Sequence, residues 1–131
     1  SPRSADRMRL TGGERGAVTV EMVVLMPVLL ATLLGGIQAG VVFHARHIAI
    51  AAAQEGARTA AAYQASLPDG ISTATTAAAD WAGQTLTGVR VTGQRTATRV
   101  SITVQGSAVS LLPGVSWPIE QKATLPVERL Q

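Results

Sequence analysis

The chain has 131 residues, 47% hydrophobic, 15% charged and only 3% aromatic, with a formal net charge of +3 and no cysteine. The lack of cysteine excludes disulfide and thiolate chemistry, and the apolar balance fits a membrane-attached protein better than a soluble domain of ordinary composition. Apart from Arg3, Arg7, Arg9 and Arg15 the arginines are scattered, so the basic balance does not read as a nucleic-acid patch.

Residues 1–15 are polar, basic and broken by Gly12-Gly13, and they read as a disordered cytoplasmic leader. The composition then changes. Between Arg15 and Arg46 the one formal charge is Glu21. An apolar run of about 20 residues or more crosses a bilayer as a helix, which predicts a transmembrane segment over about 17–43. Its fourteen Leu, Ile, Val and Phe residues favour insertion by about 4 to 8 kcal/mol in total. One ionisable group costs about 2.5 to 3.5 kcal/mol at the helix centre and less near an end, so insertion prevails. The arginines gathered ahead of the run orient it with the N-terminus in the cytoplasm. The run is too long for the core of a cleaved secretory signal, and neither Ile37-Gln38-Ala39 nor Phe43-His44-Ala45 forms a small-x-small site. Pro27 either kinks the helix or is simply tolerated, as membrane helices do. Gly36 and Gly40 form a GxxxG, which reads equally as a close-approach site for a second helix or as chance in a glycine-rich chain.

The helix is expected to continue past the membrane, as one element over about 17–65. Ile48, Ala49, Ala52, Gly56, Ala60 and Tyr63 recur at helical spacing, and alanine is the best helix former. A rod of this length would measure about 70 Å against a bilayer core of about 30 Å, so its C-terminal half projects. The alanine surface over 45–62 has almost no bulk. Like Gly36, Gly40 and Gly56, it is read as a helix-packing surface for other helices rather than the cover of a core of its own. Leu67-Pro68-Asp69-Gly70 is expected to stop the helix.

Residues 66–131 are expected to form a small extracytoplasmic domain. A second helix is predicted from Ser72 to about Thr85, with Ile71, Ala74, Ala78, Trp81 and Ala82 on one face. From Gly88 the period becomes two: Val89 and Val91 alternate with polar residues, as do Val100, Ile102 and Val104, joined through residues 93–96. A third strand over about 120–127 places Ala123, Leu125 and Val127 on one face, and Pro126 confines it to an edge. The predicted fold class is α+β: a long N-terminal helix, then a short helix on about three antiparallel strands.

Catalysis has little to stand on. There is no GxSxG, no Walker loop and no HExxH, and the carboxylates Asp69, Asp80, Glu120 and Glu128 are scattered. His44 and His47 share a helix face with only Glu55 nearby as a further ligand type, so a metal is not expected. The chain reads as no enzyme, with no cofactor and no small-molecule substrate. Glu21 is different. If the chain is cut after Gly16, the new ammonium on Ala17 and the Glu21 carboxylate lie one turn apart, about 6 Å along the helix. A lone charge at the edge of an apolar medium is costly. In a bundle the carboxylate of one subunit can neutralise the amine of the next and set the register. The plainer reading is a glutamate snorkelling at the membrane edge.

Arg15-Gly16-Ala17-Val18-Thr19-Val20-Glu21-Met22 resembles the processing site of type IV prepilins. The stretch 16–30, with a proline six residues after the glutamate, and Gln54-Glu55-Gly56-Ala57-Arg58 beyond the span are similar to TadE-like proteins, minor pilins or pseudopilins of the tight-adherence (Flp-type) pilus machinery. The resemblance covers roughly residues 14–62. It implies Gly16 as the cleavage glycine, Ala17 as the new N-terminus and Glu21 as the assembly glutamate. It also implies a prepilin peptidase, other pilin-like subunits, the assembly platform and the lipid bilayer as partners, and an inner-membrane location. Met22 departs from the aromatic residue that usually follows the glutamate in Flp-type sites. Residues 66–131 exceed what a major pilin carries. These two departures argue for a minor subunit, and residues 66–131 carry no motif of the family. The rival is a signal-anchored protein, unrelated to pili, whose outer domain binds a ligand or envelope component.

Overall fold

A computed structural model describes residues 2–62 and 64–128, and for residues 2–15 the backbone alone. The elements are α1 (Pro2–Ala61), α2 (Leu67–Ala82), β1 (Leu86–Arg95), β2 (Arg99–Ala108) and β3 (Trp117–Pro126). The strands form one antiparallel sheet in the order β1-β2-β3, which is the α+β arrangement expected. The chain divides into two units, one ending at Ile37 and the other beginning at Gln38.

Several boundaries differ from the expectation. Helical backbone begins at Pro2 and runs through the leader. Proline is at home in a first turn, where its missing N–H is not needed, and a glycine pair weakens a helix by about 1 kcal/mol each without ending it. The expected helix member Tyr63 lies outside the described residues. The stop at 67–70 is instead the start of α2. Ser66 caps that helix: its hydroxyl accepts from the Asp69 N–H at 3.3 Å while the Asp69 carboxylate accepts from the Ser66 N–H at 3.2 Å. Pro68 falls in the first turn, where its missing donor is harmless. Serine followed three residues on by an acid is a capping-box pattern, and it outweighs the turn reading of Pro-Asp-Gly. The reversal between the helices passes through Gln64, at φ 63°.

The alanine surface is also reassigned. Ala45, Ala49, Ala52, Ala53, Ala57, Ala60 and Ala61 are buried in this chain's own core, together with Ala74, Ala77 and Ala78 of α2 and Val100, Ile102 and Val104 of β2. Small side chains thin a core but allow backbones to come close. The closest approach is between Gly56 and Gly70. A Cβ on Gly70 would lie 2.5 Å from the Ala60 Cβ and 2.6 Å from the Gly56 carbonyl oxygen, and one on Gly56 would meet the Gly70 carbonyl at 2.7 Å. Only glycine fits there.

The sheet follows the period-two pattern. On the central strand Val100, Ile102 and Val104 are fully buried, each contributing about 1.5 to 3 kcal/mol of hydrophobic stabilisation. β1 starts two residues before Gly88, not at it, and bulges there: Thr87 pairs Ser107 while Arg90 pairs Gln105, so Gly88 and Val89 oppose Gly106 alone. Gly88 has φ 62°, the left-handed conformation that a bulge glycine supplies. The β1–β2 turn comes slightly later than expected, over 96–98, closed by the Thr96 N–H to the Arg99 carbonyl at 2.8 Å. β3 is an edge strand with Pro126 as its last residue.

Within the second unit, residues 38–61 of α1 lie along the sheet and are tied at both ends. Gln38 bonds the segment after β2, as described below, and the Glu128 N–H donates to the Ala61 carbonyl at 2.8 Å. The lengths match: this part of α1 rises about 35 Å, and a ten-residue strand about 33 Å.

Candidate membrane and assembly site

Residues 18–37 are exposed on all sides and, apart from Glu21, Thr19 and Thr32, apolar on all sides. Val23, Leu29, Leu30 and Leu33 are each at least 56% exposed. A helix that is hydrophobic all round belongs in a protein core or in a membrane. No part of its most apolar window is buried, and its mean hydropathy of 2.3 with its length suffices to cross a membrane. From residue 38 the pattern changes: Gln38, Ala45, Ile48 and Ala49 are buried, and Val41 and Val42 pack partly against the core. Of residues 38–43, expected within the span, Gln38, Val41 and Val42 pack on the globular unit while Ala39, Gly40 and Phe43 are exposed. The stretch left, 17–37, rises about 31 Å, close to the thickness of a bilayer core.

The expected site residues fall on both sides of this change. Gly16, Ala17 and Glu21 are exposed on α1, and nothing approaches the Cβ position of Gly16 within 4 Å. Ala17 and Glu21 stand four residues apart on one helix face. Gly36 and Gly40 also have open space where a Cβ would be, so each leaves room for another helix or for lipid. Gly56, read as packing against other helices, lies against α2 of the same chain. In the motif over 54–58, Glu55 and Arg58 pair at 3.4 Å on an exposed face, a contact worth well under about 1 kcal/mol. Phe43 and His47 meet edge to face with centroids 4.5 Å apart. Among the described residues no three His, Asp or Glu side chains gather into a metal-binding group.

Gln38 was missed by the sequence reading. It is 3% exposed, and its amide makes two hydrogen bonds more than 70 residues along the chain. Nε2 donates to the Val109 carbonyl at 3.0 Å, and Oε1 accepts from the Leu111 N–H at 2.7 Å. These satisfy two backbone groups of the β2–β3 loop that no strand partner reaches. The available signal was that Gln38 is the one amide in the apolar run. Its role needed the loop to be seen beside it.

Residues 16–58 match the family model described as TadE-like protein. No curated protein and no solved structure was found to match the chain. The matched segment takes in Gly16, Glu21, the exposed apolar stretch and the Glu55–Arg58 pair, which are the residues on which the resemblance was read. Over residues 16–58, about a third of its length, the chain is similar to TadE-like proteins.

Proposed function

We propose that this protein is a minor pilin or pseudopilin that assists assembly of a tight-adherence pilus by bundling its membrane helix with those of other pilin-like subunits. The observation that carries the reading is the coincidence of the family match with a fully exposed apolar stretch bearing a single carboxylate. In this reading the leader holds the N-terminus in the cytoplasm of a cell whose inner membrane the helix crosses once. A prepilin peptidase removes residues 1–16. The bond it cuts lies within α1, so the helix must open locally. Gly12, Gly13 and Gly16 ease that opening, each lowering helix stability by about 1 kcal/mol relative to alanine.

Cleavage leaves an ammonium on Ala17, one turn from Glu21. Between neighbouring subunits, amine and carboxylate neutralise each other where an unpaired charge would be costly, and the pair sets axial register. Gly36 and Gly40 let helices approach. The globular unit remains outside the membrane and acts by contact with the assembly platform and the other subunits, without chemistry of its own.

The test is the N-terminus of the protein extracted from its native membrane. Mass spectrometry should find a start at Ala17, and an intact leader would count against the proposal. Glu21→Ala should leave membrane insertion unchanged and abolish co-purification with partner pilins. Unchanged recovery of partners would favour a signal-anchored binding domain unrelated to pili.

A further inference from the structure

We infer that the β2–β3 loop, residues 109–116, is a second membrane contact that lies in the bilayer interface beside the point where the helix emerges. The inference rests on the reading that residues 17–37 cross a bilayer, and it adds a contact which that reading does not require.

Position comes first. Gln38 immediately follows the last residue of the exposed apolar stretch, and both polar atoms of its side chain hold this loop. Whatever surface the helix leaves at Gln38, the loop is bonded to the residue at that surface. Chemistry agrees with position. Between Arg99 and Glu120 the chain has no charged residue, so no charge in the loop opposes contact with a bilayer. Leu111, Leu112 and Val115 expose 42%, 43% and 42% of their surfaces, although the core lies close by. Trp117 follows them, and tryptophan is enriched where a membrane meets water.

The loop is also built to present these side chains. Ser110 Oγ accepts from the Leu112 N–H at 3.1 Å and donates to the Leu112 carbonyl at 2.7 Å, and it accepts from the Trp117 indole N–H at 3.2 Å. With Gln38 holding Val109 and Leu111, the polar groups at the start of the loop are satisfied within the protein. The remaining polar groups keep water and lipid headgroups as partners in the interface, outside the hydrocarbon where irregular backbone is excluded. The opposite end of the sheet has another character: the β1–β2 turn carries Arg95, Thr96, Thr98 and Arg99, all exposed. It lies about 30 Å away, one strand length. An apolar end at Gln38 and a basic, hydroxyl-bearing end far from it fit lipid rather than protein against Leu111, Leu112 and Val115.

Because the chain has no cysteine, single-cysteine variants of the full chain can carry an environment-sensitive fluorophore. The variants are Leu112→Cys and Val115→Cys in the loop, Leu30→Cys in the span and Thr98→Cys in the distal turn. Each is placed in phosphatidylcholine–phosphatidylglycerol vesicles with and without lipid bearing a shallow nitroxide quencher. Loss of fluorescence at positions 112, 115 and 30, with none at 98, is the expected result. Loss at 30 while 112 and 115 stay as bright as 98 would leave the span standing and overturn the loop contact. A blue-shifted but unquenched signal at 112 and 115 would mean that a second copy covers the loop, and would equally overturn it. Absence of quenching at all four positions would remove the span reading and the loop contact with it.

Discussion

The same helix behaves in two opposite ways on the two sides of Gln38. Before it, the side chains are Val, Leu, Met and Ile, and they are exposed. From Gln38 onward, the buried positions are mostly alanines, together with Gln38 itself, Ile48 and Gly56. Large branched side chains suit lipid, which has no fixed shape to fit and rewards apolar area. Small ones suit a neighbouring backbone, because they let helix axes and a sheet come near enough for every atom to find a contact. Hydrophobicity alone does not separate the two stretches. Side-chain size does.

Four substitutions sharpen this contrast. The largest effect is expected from Gly70→Val, whose branched side chain has no room against Ala60 and the Gly56 carbonyl. A loss of about 3 kcal/mol or more is expected, seen as early unfolding of the detergent-solubilised chain by near-ultraviolet circular dichroism. A wild-type unfolding curve would mean that the two helices are not so closely packed. Next is Gln38→Leu, which strands the Val109 carbonyl and the Leu111 N–H. A loss of about 2 kcal/mol is expected, with faster amide hydrogen exchange at Leu111. If exchange there stays slow, Gln38 is not what holds the loop. Ser66→Ala removes the α2 cap and should cost about 1 kcal/mol, measured in the same unfolding assay. Smallest is Gly36→Ala on the exposed side. With open space around it, it should leave unfolding within about 0.5 kcal/mol of the parent while weakening recovery of partner helices. A large loss of stability would show that this stretch, too, is packed within the chain.

Much of the fold was legible from local pattern. A helix long and apolar enough to cross a membrane followed from the apolar run, and the strands from alternation at Val89, Val91, Val100, Ile102 and Val104. The family signal lay in Gly16, Glu21 and the residues over 54–58. Three things were not legible. The start of α2 was hidden because Pro-Asp-Gly reads as a turn until Ser66 is seen to cap it. The end of the apolar exposure was hidden because residues 38–43 are as hydrophobic as those before them. The alanine surface was assigned to other helices because a small, weakly hydrophobic face does not name its partner.

Elements are written in short-range chemistry: hydropathy over a few turns, a capping pair three residues apart, a period of two. Such interactions act between residues that are close in the chain whatever else the chain does, so a reading of neighbours finds them. Which apolar surface is covered, and by what, depends on groups brought together across 70 residues, as Gln38 is brought to Val109 and Leu111. Burial and hydrogen-bond satisfaction are properties of that assembled environment, and they alone divided one continuous hydrophobic helix into an exposed half and a buried one.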